Sequence, residues 1–397
     1  MPDIFRMTKF GYDKTINEKE QRIYQMLYTI PDYYKEFACI ADKCEDTCCA
    51  GWQIVIDKKS LNKYKCLSSK YGKTVRKKVN WFTGTFKQDK DKRCAFLNHC
   101  NLCELYLHEG DGIFCKTCHL YPRHIEEFEG VREISLSISC PEVARILMNK
   151  TDRVEYLTYE KEGEEEYGDF DPFLFSMLED ARKEMLSILQ NRDLPIGVRV
   201  VLVLGTAHDI QGRINRQELF DCFSVMEKYK TKKAEQFAEE FYSKNRGFTK
   251  HYHFVREQFD KLYRLELLKE DWDALLLESE VLLYSKGADG YRDAVIAFER
   301  DKQLASEVAI QLEQLLVYFI FTYMPGAVYD GELYSKIQMS VYCVLMIYEL
   351  WIARFVKNEG CLSMEERIDL VYRFSREVEH SDKNRNKVEE MVKRPWK

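Results

Sequence analysis

Cys44-Glu45-Asp46-Thr47-Cys48-Cys49-Ala50-Gly51-Trp52 opens the stretch that decides how this chain is read. Between Cys39 and Cys140 lie eleven of the fourteen cysteines: Cys39, Cys44, Cys48, Cys49, Cys66, Cys94, Cys100, Cys103, Cys115, Cys118 and Cys140. Two C-x-x-C pairs, Cys100/Cys103 and Cys115/Cys118, have the spacing that lets two thiolates on one turn reach a single ion or cluster. Soft thiolates select zinc, copper(I) or iron–sulfur clusters over hard cations. A disulfide framework fits less well. Such frameworks belong to short secreted chains, whereas this one has 397 residues and no apolar run after Met1-Pro2-Asp3-Ile4. The expectation is a reduced, metal-binding segment in a cytoplasmic protein.

Working outward, the length allows two or three domains with a sizeable core. A net charge of −6, with 45% apolar and 32% charged residues, describes an ordinary folded chain. No basic face dominates that total, so a nucleic-acid partner is not expected. The most apolar run, Ile337 to Val356, is interrupted by Gln338, Ser340, Glu349 and Arg354. It reads as a buried core helix, and no transmembrane segment is expected.

Residues 1–35 form a helical lead-in, with Ile23, Met26 and Leu27 at helical spacing in an amphipathic segment from Glu18 to Tyr28. Residues 36–159 form a cysteine-rich α+β domain with short strands. Trp52 to Asp57 and Arg132 to Ser139 alternate as half-buried strands do, Lys58 to Lys78 reads as a helix, and Pro141 opens another. Cys94 to Leu97 and Leu102 to Tyr106 read as short strands or turns that a metal would staple. An acidic run at 160–171 reads as a linker. Residues 172–397 read as an all-α domain, with helices near 172–190, 195–212, 215–229, 232–245, 250–270, 274–285, 288–324, 333–357 and 364–378 and a last one from Asp382. The fold class is therefore mostly α.

Val200-Val201-Leu202-Val203-Leu204-Gly205-Thr206 could enter a nucleotide-binding turn, but G-x-G-x-x-G is missing and a helix face fits better. G-x-S-x-G, H-E-x-x-H and P-loop motifs are absent. The radical-SAM spacing fails too: after Cys44-x3-Cys48 the third position holds Gly51. His99, His108, His119 and His124 are possible mixed ligands. Arg376-Glu377-Val378-Glu379-His380-Ser381 reads first as a capping turn with Ser381 as N-cap, and second as a polar pocket.

The cysteine region resembles the FliB family, the flagellin lysine N-methylases. The resemblance rests on Phe37-Ala38-Cys39, Cys44 to Trp52, Arg93-Cys94-Ala95-Phe96-Leu97, Leu102 to Tyr106, Cys115 to Arg123 and Ser137 to Glu142. It extends over the helical half, including Ser375 to Ser381. The N-terminal half is also similar in pattern to small zinc- or iron-chelating domains. The chain departs where the family reads Cys-Pro-Phe-Leu and this sequence has Ala95; Cys66 and Cys100 stand outside the pattern.

The resemblance implies methyl transfer from S-adenosylmethionine to lysine ε-amines of flagellin. It also implies a 4Fe-4S cluster, with zinc as the alternative, whose ligands come from Cys44, Cys48, Cys49, Cys94, Cys103, Cys115, Cys118 and Cys140. Glu377, Glu379 and His380 are the candidate base or substrate clamp, and Tyr121, Arg123 and Arg376 the candidate cofactor lining. The chemistry needs a neutral lysine amine, in line with the sulfonium at near-attack distance. Polar transfer of this kind needs no radical. The rival reading is a zinc- or iron-binding interaction module without catalysis; a metal chaperone is a third.

Overall fold

The computed structural model describes residues 24–164, 167–245 and 247–393. The expected lead-in helix lies partly outside those residues; the part inside them is a strand. β1 (Tyr24–Pro31) buries Met26, Tyr28 and Ile30 and leaves Leu27 exposed. That is a period of two, favoured by the aromatic Tyr28 and the β-branched Thr29 and Ile30, and it overrides the helical spacing of Met26 and Leu27.

β1 lies inside a four-stranded sheet of order β4-β5-β1-β6, where β4 is Arg123–Phe128, β5 Val131–Leu136 and β6 Tyr156–Gly163. β4 and β5 form an antiparallel hairpin, closed by Gly130 at φ +67°. β1 runs parallel to β5, with Leu27 opposite Val131, and antiparallel to β6, with Tyr24 opposite Gly163. Arg132 to Leu136 is thus a strand as expected. Glu160 to Gly163, expected to begin an acidic linker, instead end β6, because a waiting ladder satisfies their backbone whatever their charge.

Between β1 and β4 the chain makes the cysteine-rich excursion. α1 (Lys58–Cys66) and α2 (Gly72–Lys78) replace the single expected helix. The break is tight: a Cβ on Gly72 would lie 2.3 Å from the Leu67 carbonyl oxygen, so the turn needs glycine there. A hairpin, β2 (Val79–Asn80) with β3 (Thr85–Phe86), follows, then α3 (Glu104–Glu109) and α4 (Lys116–Leu120). Ile54 and Ile56 point inward as the alternation at Trp52 to Asp57 required. That segment makes only an isolated bridge, Val55 to Thr85, so it is not a strand. Leu97 likewise meets Cys103 through a single bridge, Cys94 bridges Gln88, and Glu104 to Tyr106, expected in a short strand or turn, open α3. The excursion has its own small core of Ile54, Ile56, Tyr64, Phe86, Phe96 and Leu105.

α5 (Pro141–Asn149) lies between β5 and β6 in the chain, with proline in the first turn as expected. The helical half then comprises α6 (Pro172–Leu189), α7 (Ile196–Asn215), α8 (Cys222–Tyr229), α9 (Lys232–Asn245), α10 (Phe248–Asp260) and α11 (Trp272–Tyr284). It continues with α12 (Gly287–Arg300), α13 (Lys302–Tyr323), α14 (Ala327–Asp330), α15 (Leu333–Lys357), α16 (Met364–Glu379) and α17 (Asp382–Lys393). The Val200 to Thr206 run lies in α7, as expected of a helix face. The expected helix over 288–324 is two: Asp301 ends α12 and caps α13 by accepting from the amides of Gln303 and Leu304. The expected helix over 250–270 stops at Asp260, and residues 265–271 run as a loop.

Among the described residues two helical stretches, Lys302–Asp330 and Leu333–Lys357, are long and apolar enough to cross a membrane. Both are largely buried inside the protein, which is the core role foreseen for Ile337 to Val356. Their buried acids are partnered: Glu313 by Arg192 and Arg199, and Glu349 by the hydroxyls of Tyr284 and Tyr291. β5 is tied to this half through Glu133, which is buried against Arg182.

Candidate functional site

The end of α16 carries the residues singled out near the C-terminus, and a helix sends them in three directions. Arg376 and His380, one turn apart, share a face. Arg376 is 3% exposed and reaches into the cysteine loop. Its Nη1 lies 2.6 Å from Asp46 Oδ2, its Nη2 donates to the Asp46 carbonyl at 2.5 Å, and its Nε donates to the Ser139 carbonyl at 2.8 Å. Asp46 also pairs with Lys269 at 2.8 Å. One guanidinium therefore clamps the loop between Cys44 and Cys48 onto the turn before α5.

His380 Nε2 lies 2.8 Å from Ser139 Oγ, and its ring sits 4.8 Å from Trp52 and 5.6 Å from Tyr121. Burial, with the charges of Arg376 and Lys269 adding to it, pushes His380 down to about 3, so the imidazole is neutral at physiological pH. Tyr121 is pushed well up by burial and shares Ser139, its hydroxyl 3.2 Å from Oγ. Trp52 donates to the Cys48 carbonyl at 2.7 Å. Aromatic rings thus wall the space between α16 and the cysteine loop.

Glu377 faces elsewhere. It accepts the amides of Leu268 and Lys269 at 2.9 and 2.8 Å, and burial lifts it to about 7 against those two bonds. It lines a cleft of about 230 Å³ where the cysteine loop, the 265–272 segment and α16 meet; Asp46, Lys269, Asp271, Arg373 and Arg376 are among its other walls. Glu379 is turned away from that cleft. It accepts from Tyr318 at 2.6 Å, from Ser137 at 2.9 Å and from Ser375. Arg123 donates to the Tyr34 hydroxyl at 2.8 Å and lies over the rings of Tyr34 and Phe37. Ser381 caps the next helix, accepting from the Asn384 amide at 3.2 Å.

The eight candidate thiols fall into two groups. Cys94 and Cys115 are buried in the small core of the excursion, with Cys49, Cys103 and Cys118 packed against it. Cys44, Cys48 and Cys140 lie instead within electrostatic reach of Arg376, and Cys39 joins them there. Cys49 links the two groups: it packs against the small core, yet its thiol hydrogen-bonds to Cys48 and it too lies within reach of Arg376. Two thiol pairs bias each other: the Cys118 thiol holds Cys115 down at about 7, and a hydrogen bond with Cys48, across the two groups, lowers Cys49. Burial raises Cys94 to about 12 and Cys140 to about 11, so their thiolates call for a cation.

This donor chemistry suits a soft metal. A closed ligand set is not formed by these side-chain positions: among the described residues no three His, Cys, Asp or Glu groups converge as a metal site. His99, His108, His119 and His124 join no such set either.

Ser139, Asp46, Trp52 and Lys269 were not singled out by the sequence as functional. An acid between two cysteines signals a basic partner, so Asp46 could have been paired with Arg376. Lys269 carries no signal, since the 265–271 loop was expected to be helix.

Residues 182–396 match the FliB lysine N-methylase C-terminal domain. Over 136 residues the chain is 29% identical to the flagellar biosynthetic protein FliU of Salmonella muenchen, covering 32% of this chain and 80% of that protein. It is 29% identical over 136 residues to the lysine-N-methylases of Salmonella typhimurium and Salmonella choleraesuis, covering 34% of each, so the alignment spans about a third of their length. No solved structure matches. With more than half its length matched by that domain, the chain belongs to the FliB lysine N-methylase family.

Proposed function

We propose that this protein transfers a methyl group from S-adenosylmethionine to lysine ε-amines of a protein substrate, flagellin in the cytoplasm before assembly. Family membership supports lysine methylation, and the observation that carries the site is the polar cleft around Glu377. A lysine enters as an ammonium and must lose its proton before its nitrogen can attack. A carboxylate held at about 7 is poised to take that proton at neutral pH, whereas an exposed glutamate is too weak a base. The nitrogen lone pair then attacks the sulfonium methyl carbon, the C–S bond breaks, and S-adenosylhomocysteine leaves. Arg376 and His380 hold the cysteine loop and Ser139 as one wall; His380 is neutral, and the cations of the cleft are paired with acids, Arg376 and Lys269 with Asp46 and Arg373 with Asp271, which softens their repulsion of the incoming ammonium.

The thiols fit the family's metal chemistry in kind. Cys49, Cys94, Cys103, Cys115 and Cys118 would hold an ion or cluster that rigidifies the excursion, while Cys44, Cys48 and Cys140 stand nearer the cleft. No step above passes through that group. The second reading, a metal-stapled interaction module, draws on the same small core built around cysteines.

The test is methyl-lysine on flagellin, read by mass spectrometry, with iron, sulfide and zinc determined on anaerobically purified protein. Wild-type activity with an acidic rate limb near pH 7, lost in Glu377→Gln, supports the assignment. A folded protein with stoichiometric zinc and no methyl-lysine under any condition refutes catalysis and leaves the module.

A further inference from the structure

Charge is distributed very unevenly along this chain. Residues 58–93 hold thirteen lysines and arginines against Asp89 and Asp91, in a protein whose net charge is −6. Of those thirteen cations, Lys78 is the one in an ion pair among the described residues, with Glu104. Lys58, Lys59, Lys70, Lys73, Lys77 and Lys87 are exposed. So concentrated a set of unneutralised cations repels itself, and an external anion is what relieves it.

At the centre of this patch stands the tip of the β2–β3 hairpin. Phe82 is 99% exposed and Trp81 39% exposed. The tip is built rather than slack: Asn80 Oδ1 accepts the amides of Phe82 and Thr83 at 3.2 and 3.4 Å, and Gly84 closes the turn at φ +67°. Trp81 donates to the Arg76 carbonyl at 3.0 Å and has Lys65 Nζ 5.6 Å from its ring. The Lys87 amide bonds the Lys78 carbonyl at 2.8 Å, and Leu61 of α1 lies beside Gly84. Cations from α1 and α2, with Lys87 just after β3, thus flank two aromatic rings held out on a rigid turn.

We propose that this hairpin and the basic faces of α1 and α2 dock the protein on a bilayer carrying anionic lipid, with Phe82 and Trp81 entering the headgroup–acyl boundary. A protein partner would need a groove or complementary edge to set register, and here the apolar element is a single protruding knob. A fluid anionic surface needs no register, only charge around an apolar tip, which is what the residues provide. Lysines near such a surface add their attractions, and a buried aromatic pair prevents easy sliding off.

The test is vesicle flotation of the full chain at low and high salt. Vesicles with about one third phosphatidylglycerol in phosphatidylcholine should carry the protein, and pure phosphatidylcholine should not. Phe82→Asp should cut partitioning roughly tenfold with unchanged circular dichroism and melting, because a charge replaces the inserting ring. Lys70→Glu with Lys77→Glu and Lys87→Glu should do at least as much and remove the salt dependence. Equal binding to neutral vesicles, full binding by Phe82→Asp, or no vesicle binding alongside tight capture of an acidic protein or heparin would each overturn the proposal.

Discussion

Replacing Arg376 by methionine tests whether one side chain joins the cysteine loop to the helical half. Methionine keeps much of the volume and removes every donor. Arg376 makes three charge-assisted bonds, to the Asp46 carboxylate at 2.6 Å, the Asp46 carbonyl at 2.5 Å and the Ser139 carbonyl at 2.8 Å. Removing it leaves both carbonyls without that donor and Asp46 with Lys269 alone. Hydrogen bonds to charged groups contribute about 1.5–3 kcal/mol each but are not additive, and breaking a buried pair from one side costs about 3–5 kcal/mol. We expect a loss of about 3–5 kcal/mol, a large share of a typical 5–15 kcal/mol. Asp46→Asn should cost less, since Arg376 keeps its two carbonyl acceptors. The assay is urea unfolding of both variants and the double variant, followed by tryptophan fluorescence. A coupling energy above about 1 kcal/mol is expected. Arg376→Lys should not restore stability, because an ammonium lacks the planar fork that reaches all three acceptors. A cost below about 1 kcal/mol for Arg376→Met, or additive single and double variants, would refute the clamp.

Two further expectations concern pH. His380 titrates at about 3 in the folded chain and near 6.5 unfolded, so between those values the unfolded state binds more protons and stability falls as pH drops. About 2 kcal/mol is lost at pH 5 through this group, and His380→Gln should flatten that part of a melting-temperature profile; an unchanged slope would contradict it. Glu349 has the opposite sign. Burial raises it to about 7, the folded state holds the extra proton between about pH 4.5 and 7, and stability falls as pH rises through that window. Glu349→Gln should therefore gain up to about 3 kcal/mol more at pH 8 than at pH 4.5 in denaturant titrations. Equal effects at both pH values would show that the tyrosine hydroxyls hold the carboxylate charged.

Long, strongly periodic helices were legible in the sequence because their apolar stripes, caps and prolines agree: Asp171-Pro172 and Ser363 cap where a side chain can reach the first amides, whereas the cap at Asp301 was read through as helix interior. β1 was not legible, since Ile23, Met26 and Leu27 satisfy helical spacing while Met26, Tyr28 and Ile30 satisfy a strand, and only partners far along the chain decide between them. The acid-rich end of β6 was hidden for the same reason. At the site, the candidate residues Arg376, His380 and Tyr121 lie together around Ser139. Glu379 was placed with them by sequence adjacency, yet a helix turns it toward Tyr318. The division of the thiols between the small core and Arg376, with Cys49 touching both, was invisible, because sequence counts thiols and does not say which way each one faces.

The parallel pairing of β1 with β5 also sets an order of events during synthesis. Leu27 emerges long before Val131, its ladder partner, and at about 5–20 residues per second the wait is on the order of 5–20 s. Throughout it the strand has neither neighbour. The excursion between them has mainly local contacts and can close first. Cys49, Cys94, Cys103, Cys115 and Cys118 are all made before β1 finds a partner, so that group can meet a metal while the rest of the chain is still unformed. Cys140 follows β5 and cannot join Cys44 and Cys48 until the sheet is half built. The two thiol groups, joined through Cys48 and Cys49, are thus completed at different times, and the one beside Arg376 completes only when α16, made near the end, arrives to clamp it.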